Sequence, residues 1–197
     1  GYATGLKEVP THELYALVDI SEQELEDSVF NLEQEMSAEF GEQFAKAEGT
    51  AFVSGNAVGK PEGILTNSSV ATVNSGAGAA LTGDGLIALY HEPKAEYAQN
   101  GTFVFSRATL AEIRKLKTSS NDYLFQPGNQ LSGGMVATIL GAPYVQATDM
   151  PSVGAGNKPI AFGDFRRGYM IVDRVNLAIL RDPFTQATSG NVRYIAR

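Results

Sequence analysis

The sequence predicts an α+β fold, and three observations support the prediction. A long amphipathic helix is expected at about residues 21–47. Short strands and short helices alternate through the middle of the chain, up to residue 162. Strand-like alternation of apolar and polar side chains then fills most of residues 163–197. One long helix combined with short helices and strands is typical of an α+β protein.

The predicted long helix follows a short strand at residues 13–20 and begins with a capping box. In this box the Ser21 oxygen accepts a backbone N–H bond, and Glu24 reaches back toward the cap. One face of the helix is apolar and the other strongly acidic, and we interpret the apolar face as ordinary core. A kink or a close crossing is expected at Gly41. The apolar face comprises Leu25, Val29, Leu32, Met36, Phe40, Phe44 and Ala47.

The middle region is punctuated by cap, turn and breaker residues. Thr82 is the expected cap of a helix at residues 84–89, and Pro93 either separates that helix from a second piece that runs through Tyr97 or opens that piece. The remaining predictions here are strands at 70–73, 102–105, 136–140 and 143–145, a flexible crossing at 74–80, a helix at 109–117 and a turn at Gly133-Gly134.

Three strands are predicted in the C-terminal region. In the first, residues 169–174, Met170, Val172 and Arg174 share one face. The second runs through residues 177–180 and is broken by Asp182-Pro183, because proline cannot donate a hydrogen bond to a sheet. The third starts at Val192, after a polar loop.

Composition excludes several kinds of site. The 197-residue chain has no cysteine, which excludes disulfides and thiolate metal sites, and its two histidines leave little room for a histidine centre. The net charge of −7 is unevenly spread: residues 1–99 carry 16 acids and 4 bases, and residues 100–197 carry 6 acids and 11 bases. This asymmetry indicates either an acidic, soluble surface or charge-matched contacts between copies. The acidic half argues against binding to nucleic-acid phosphates.

Two stretches resemble nucleotide-binding motifs, but neither has the required spacing and residue types. Residues 55–60 are one residue short of a phosphate-binding loop, and Pro61 stands where a Mg²⁺-binding hydroxyl is required. Gly76-Ala77-Gly78 starts a dinucleotide-like pattern, but Leu81 replaces the third glycine. No transmembrane run or signal pattern occurs. We therefore expect no enzymatic activity, no cofactor and no membrane partner.

Two blocks of the sequence carry specific motifs. The first is the run from Gly163 to Phe184, which contains GDFRRGYMIVDR and RDPF. The second is AEGTAFVSGN followed by GKPEGIL, from Ala47 to Leu65. The two blocks resemble the major capsid proteins of tailed bacteriophages, whose shell fold is known as Hong Kong 97-like. They stand in that family's order and span most of the chain, with Thr50 as an extra residue and Ala57 where the family usually has glycine.

The resemblance implies a fold in two parts and a structural function. A peripheral domain of residues 1–75 and 176–197 would contain the long spine helix, and an axial domain of residues 76–175 would be inserted into it. The chain would form pentamers and hexamers of an icosahedral phage or prophage head that encloses DNA. The expected partners are neighbouring copies and possibly a scaffolding protein, a portal and a maturation protease. The expected location is the virion, after synthesis in the bacterial cytoplasm.

Charged and polar residues are the candidate contacts between subunits. Arg166 and Arg167 could instead form an anion site, although an exposed charged turn is the simpler interpretation. Some family members carry a lysine–asparagine cross-link, but the lysine loop would precede Gly1, so we assign none. The candidate interface residues are Glu33, Glu35, Glu39, Arg166, Arg167, Arg174, Arg181, Asp182, Asn191 and Arg193.

Compared with the family, the chain is expected to be a fragment. It lacks the N-terminal arm and extended loop that the resemblance implies, and by itself it should be monomeric or a small oligomer. Two alternatives to a phage coat protein remain. One is an encapsulin-like shell of a bacterial compartment, which a cargo-binding groove would distinguish. The other is a small α+β enzyme or ligand-binding domain, which requires a deep pocket with convergent polar groups.

Overall fold

The computed structural model describes residues 9–29, 31–117, 120–124, 138–174 and 177–197. The helices are α1 (Glu22–Asp27), α2 (Leu32–Ser54), α3 (Gly83–His91), α4 (Ala95–Ala98), α5 (Arg107–Lys115) and α6 (Phe165–Gly168), with a 3₁₀ turn at Ala187–Ser189. The strands are β1 (Ala16–Ser21), β2 (Thr102–Phe105), β3 (Thr138–Ile139), β4 (Ala142–Gln146), β5 (Ile160–Gly163), β6 (Ile179–Asp182) and β7 (Asn191–Ala196). The mixture of helix and sheet confirms the predicted α+β class.

The chain divides into two compact units. Unit 1 consists of Gly1–Gly63 and Val172–Arg197, and unit 2 of Ile64–Ile171. The sequence analysis expected the first boundary after residue 75 and the second after residue 175. Residues 64–75 therefore belong to the inserted unit in the structure, and residues 172–174 to the discontinuous one.

The continuous helix predicted at residues 21–47 is wrong in one respect, because two helices occupy this stretch. The Glu24 N–H donates to Ser21 Oγ at 3.1 Å, which confirms the first cap. Helix α1 ends at Asp27, and a second cap follows, where Asn31 Oδ1 accepts from the Gln34 N–H at 3.3 Å. Val29, expected on the apolar face, is 93% exposed. The side chain of Asn31 offers the backbone a new N-terminus, and this competes with continuation of the first helix.

Helix α2 continues through Gly41 and ends at Ser54, seven residues beyond the expected end. A Cβ built on Gly41 meets nothing within 4 Å, so the expected close crossing is absent from the described part of the chain. The Gly55 N–H donates to Ala51 O at 2.8 Å and closes the last turn.

Unit 1 packs α2 against one face of an antiparallel sheet of order β1-β7-β6. Alternate residues of β7 point into this core, as predicted, since Val192 and Tyr194 are each 3% exposed and Ala196 is fully buried. Phe40 of α2 is the buried residue they meet, and Met36 and Phe44 pack beside it. The interpretation of the helix's apolar face as core is therefore confirmed at these positions.

Unit 2 is built on a four-stranded sheet of order β3-β4-β2-β5, in which β2 and β4 are parallel. The predicted strand at residues 102–105 forms β2, with Phe103 and Phe105 fully buried. Leu110 and Ile113 of α5 pack on the same core, as their helical spacing predicts. Around Gly141, short strands β3 and β4 pair as a tight hairpin.

Polar side chains set the start of the helices in unit 2. Thr82 caps α3 as predicted, since its Oγ1 accepts from the Gly85 N–H at 3.0 Å. Thr82 Oγ1 also donates to Ser75 O, which holds the preceding loop against the helix. The predicted strand at residues 70–73 is wrong, because no strand forms there and Val70 is 47% exposed. The short apolar run has no described strand beside it with which to pair.

The predicted strand at residues 169–174 is also wrong. Helix α6 ends at Gly168, Tyr169 is extended, and residues 170–174 belong to no helix or strand. Met170 is 84% exposed and Val172 65%. The alternation in the sequence describes a chain suited to a strand, but a strand also requires a partner to which its backbone can bond. The turn predicted at Gly133-Gly134 and the first part of the strand predicted at 136–140 lie outside the described residues.

Candidate subunit-interface residues

The outer face of the unit 1 sheet carries a charged row. Arg193 on the central strand β7 lies opposite Asp19 on β1 and Asp182 on β6. Arg193 donates from Nε and Nη2 to the two Asp19 carboxylate oxygens, each at 2.7 Å. This bidentate bond lowers the pKa of Asp19 and raises the pKa of Arg193. Arg193 is therefore engaged within its own chain.

Asp182 organises the loop that follows β6. Its carboxylate accepts from the Thr185 hydroxyl and from the backbone N–H groups of Phe184, at 2.9 Å, and Thr185, at 3.1 Å. These bonds, led by the one from the Thr185 hydroxyl, hold the pKa of Asp182 below its ordinary value. An aspartate carboxylate that accepts bonds from the N–H groups two and three residues later stabilises a turn. Here it provides acceptors for the N–H groups that follow Pro183, where the strand has ended.

Glu33 joins α2 to the inner face of the sheet. The Tyr194 hydroxyl donates to Glu33 Oε1 at 2.7 Å, and Arg181 Nε lies 3.5 Å from the same oxygen. Burial first, and then the bond to Glu33, raise the pKa of Tyr194. The arrangement fixes the helix on the sheet at one point, between the first turn of α2 and the centre of β7.

An apolar row runs beside the charged row on the outer face. Leu17 of β1, Ile195 of β7 and Leu180 of β6 lie opposite one another in register. Leu17 is 51% exposed and Leu180 is 61% exposed, with Ile195 half-buried between them. Phe184, in the loop after β6, is 85% exposed. This face thus exposes large apolar side chains next to charges that are already paired.

The other candidate residues have fewer contacts. Glu35 is exposed in the first turn of α2, and Glu39 accepts from Gln43 Nε2 at 2.6 Å. Arg174 lies exposed at a bend. Asn191 opens β7 opposite Ser21, and its backbone N–H donates to Gln186 O at 3.3 Å.

Arg166 and Arg167 belong to unit 2, in the short helix α6. Arg167 lies 4.0 Å from Asp164 and stacks over the Tyr97 ring at 5.9 Å from its centroid. Arg166 is exposed. Of the two arginines considered for an anion site, Arg167 is thus turned to a carboxylate and a ring of its own chain, and the exposed charged turn remains the simpler interpretation.

Sequence reasoning missed Asp19 and Tyr194 as partners of the candidate residues. Strand alternation places Asp19 on the opposite face from Val18, but no local pattern connects Asp19 with Arg193, which lies 174 positions later. The packing of α2 on the sheet brings Glu33 to Arg181, and the pairing of β6 with β7 brings Asp182 to Arg193.

Unit 2 contains a shallow cavity of about 390 Å³ between α5 and the loops at residues 79–81 and 152–153. Its charged lining residues, Glu112 and Lys115, bind each other at 2.8 Å. Apart from this pair, small and apolar side chains make up most of the lining. The cavity therefore lacks the convergent polar groups that a ligand-binding alternative requires.

Among residues 9–29, 31–117, 120–124, 138–174 and 177–197, no three acidic or histidine side chains are grouped as metal ligands. No helix within these ranges has both the length and the apolar character needed to cross a membrane.

Comparisons with known proteins agree on one family. Residues 2–197 match the phage capsid family. The capsid of an empty GTA particle, computed with C5 symmetry, is 34% identical with a TM-score of 0.82, and the match covers 100% of this chain and 74% of that one. The capsid of the native GTA particle is 33% identical with a TM-score of 0.83 and the same coverage.

A more distant likeness in fold is to a phage protein. A chain from Gordonia phage Cozz is 14% identical, with a TM-score of 0.58 over 100% of this chain and 72% of that one. At this identity the likeness concerns the fold alone. No curated protein matches the chain significantly. Because the family match extends over nearly every residue, the chain belongs to the phage capsid family.

Proposed function

We propose that this chain is the major coat subunit of a phage-type head, in which many copies close into an icosahedral shell around DNA. The observation that carries the proposal is the family match over residues 2–197, supported by 34% identity to the capsid of an empty GTA particle. The chain is a structural capsid protein, and its function lies in repeated contacts with copies of itself. Closed symmetry allows identical chains to satisfy the same surfaces in every position.

The two units correspond, in this proposal, to the two parts of a Hong Kong 97-like subunit. Unit 1 would be the peripheral domain, since it contains α2 and is formed from both ends of the chain. Unit 2 would be the axial domain inserted into it. Pentamers and hexamers then arise when unit 2 of each copy approaches the symmetry axis of its capsomer.

The candidate interface residues form two groups, according to whether the charged group already has a partner in its own chain. Four candidate residues make contacts within unit 1, so we expect them to act in assembly only by stabilising the sheet whose outer face is exposed. They are Glu33, Arg181, Asp182 and Arg193. Exposed Glu35 and Glu39 on one copy and Arg166 and Arg174 on another are the proposed charge-matched contacts. Arg167 faces Asp164 and Tyr97 of its own chain and is proposed only as a neighbour of that contact. Rim charges of this kind set partner choice and association rate more than raw affinity.

The subunit acts without cofactor or catalysis, is made in the bacterial cytoplasm and resides in the virion. A scaffolding protein, a portal and a maturation protease are its proposed partners, because a closed shell requires control of size, an opening for DNA and a means of maturation.

Negative-stain electron microscopy tests the proposal. The protein is expressed from its complete open reading frame, without other phage genes, and examined at high concentration. Uniform angular shells, or isolated pentamers and hexamers, are expected. A monodisperse monomer or dimer that stays so after co-expression with the neighbouring genes of its operon would contradict a coat function.

A further inference from the structure

The segment Met170–Arg174 connects the two units and belongs to no helix or strand. Helix α6 ends before it, at Gly168, and strand β6 begins after it, at Ile179. The boundary between unit 2 and the second part of unit 1 falls inside the segment, between Ile171 and Val172. A break of the chain at this boundary would therefore interrupt no described helix or strand.

The backbone of this segment is available to a binding partner. Within the described part of the chain, no N–H or C=O group of Met170–Arg174 takes part in a hydrogen bond. Tyr169, which leads into the segment, is extended, with φ −141° and ψ 128°. Endopeptidases hold their substrates as an extended strand, through the same main-chain hydrogen bonds that add a strand to a sheet. A segment whose backbone groups are unbonded meets this requirement without prior unfolding.

The side chains of the segment are available as well. Met170 is 84% exposed, Ile171 is 51% exposed and Val172 is 65% exposed. Consecutive exposed apolar side chains are a mark of a site that another protein binds. An endopeptidase with an apolar pocket for the residue that follows the cut bond can therefore take either Ile171 or Val172.

Exposure alone does not make a segment a protease substrate, and the loop at residues 55–63 provides the comparison. Val58 is 75% exposed, which is more than Val172. However, its N–H donates to Asn56 Oδ1 at 3.4 Å, and Asn56 and Glu62 pair across the loop as an isolated antiparallel bridge. This loop has to open before a protease can bind it as a strand, so its cleavage follows the small population of the open form.

The part of unit 1 that follows the segment is held by more than the continuity of the chain. It supplies β7, which is the central strand of the sheet and pairs with β1 along its length. Val192 and Tyr194 are buried in the core with α2, and Arg193 binds Asp19 on β1. Unit 2 stays joined to the first part of unit 1 after Gly63. A chain cut in the segment should therefore keep its fold.

We propose that Met170–Arg174 is a processing site for an endopeptidase that cuts before a large apolar residue, and that the two fragments stay bound to each other. Water adds across the peptide bond before Ile171 or Val172. One product ends in a new carboxylate, and the other begins with a new amine. The proposal concerns the subunit in solution and goes beyond the proposed coat function, so either can fail without the other.

Brief digestion of the purified protein with thermolysin, which cuts before large apolar residues, tests the site. Mass spectrometry of the fragments gives the rate at each bond. Cleavage before Ile171 or Val172 should be at least about tenfold faster than cleavage before Val58 in the same sample. Equal rates would overturn the site. So would the absence of fragments that begin at Ile171 or Val172 while other bonds of the chain are cut.

Two variants test whether the exposed apolar side chains direct the cut. Ile171→Ser combined with Val172→Ser should lower the yield of fragments that begin at residue 171 or 172 several-fold. Val58→Ser combined with Val70→Ser is the matched control, because both valines are exposed and lie outside the segment, and it should leave that yield unchanged. An equal yield from all three proteins would overturn the assignment of the apolar pocket.

Size-exclusion chromatography of the brief digest tests the second part of the proposal. The fragments should elute together at the volume of the intact chain, and they should separate only when denaturant is added. Amide protons of β7 should stay protected from hydrogen exchange after the cut. Fragments that separate in native buffer would overturn this part, because they would show that unit 1 needs an unbroken chain at the segment.

Discussion

Unit 2 is held together by aromatic packing, whereas unit 1 has a smaller core and adds charged contacts between distant parts of the chain. Phe103 stacks on Phe162 with 4.4 Å between ring centroids, and Tyr90 packs on both rings. Unit 1 has a core around Phe40 and, in addition, two polar contacts. These are the Asp19–Arg193 pair on the outer face of the sheet and the Glu33–Tyr194 bond on the inner face. Aromatic packing does not depend on the ionisation of a carboxylate, whereas partly exposed charged contacts weaken when a partner loses its charge and when salt screens them.

The difference predicts that the two units respond to different perturbations. Apolar truncation should damage unit 2 most, and acid, alkali or salt should act on unit 1. The predictions that follow run from the largest expected effect to the smallest.

Phe103→Ala should destabilise unit 2 by about 3 to 5 kcal/mol, because it removes a fully buried ring and leaves a cavity among the neighbouring aromatic rings. Denaturant unfolding measures the loss, and hydrogen exchange followed by mass spectrometry locates it. Exchange should rise in β2 and β5 and not in β1 and β7. The control is Phe184→Ala, at a ring that is 85% exposed, which should stay within about 0.5 kcal/mol of the parent. An equal rise in both units would show that they unfold as one body.

Gly85→Ala and Gly41→Ala should have opposite effects, although both replace a glycine inside a helix. A Cβ on Gly85 would stand 2.7 Å from Ser75 Cα, which is backbone held by the Thr82 bond, so a loss of about 1 to 3 kcal/mol is expected in unit 2. A Cβ on Gly41 meets nothing, so α2 should gain up to about 1 kcal/mol. Thermal or denaturant unfolding of the two variants gives the comparison. A gain at Gly85 would mean that the Ser75 loop moves freely.

Tyr194→Phe should cost about 1 kcal/mol near neutral pH, because it removes the hydroxyl that donates to Glu33. The raised pKa of Tyr194 means that the folded state holds this proton more tightly than the unfolded state does. The stabilisation is therefore present below the ordinary value of 10.0 and is lost as pH rises through the higher folded pKa. Unfolding measured at neutral and alkaline pH should show this alkaline loss in the parent and a smaller one in the variant. Equal alkaline losses would exclude Tyr194 as their source.

Asp19→Asn should have the smallest effect and a distinctive pH dependence, because the Asp19–Arg193 pair is partly exposed. The pKa of Asp19 is lowered from 3.8 by the bond to Arg193, so its contribution is present above that value and is lost as pH falls through the folded pKa. The unfolding midpoint of the parent should decline more steeply in acid than that of the variant. Added salt should reduce the difference between the two midpoints near neutral pH. Asp27→Asn, at an exposed carboxyl in α1, is the control. Identical acid profiles for the parent and Asp19→Asn would show that the Asp19–Arg193 pair does not contribute to stability in acid.

Much of the local structure follows from short stretches of sequence. Ser21 and Thr82 cap the helices that they were predicted to cap, because a side-chain oxygen satisfies an N–H group only three residues away. The alternation of Val192, Tyr194 and Ala196 predicted the buried face of β7 for a similar reason, since a strand that covers a core must present alternate residues to it. The family resemblance rests on equally local runs of residues.

Tertiary structure decided what depends on partners far along the chain. The pairing of β1 with β7 created the Asp19–Arg193 pair, and the absence of a described neighbour left residues 169–174 without a strand despite their alternation. The cap of α2 at Asn31 is as local as the caps at Ser21 and Thr82, but the apolar periodicity that continues across it predicted one unbroken helix. The sequence by itself thus determined the caps, the periodicities and the family, all of which arise within a few residues. Strand partners and charge partners were decided only by the fold, because a hydrogen bond or an ion pair requires two groups whose proximity no local pattern encodes.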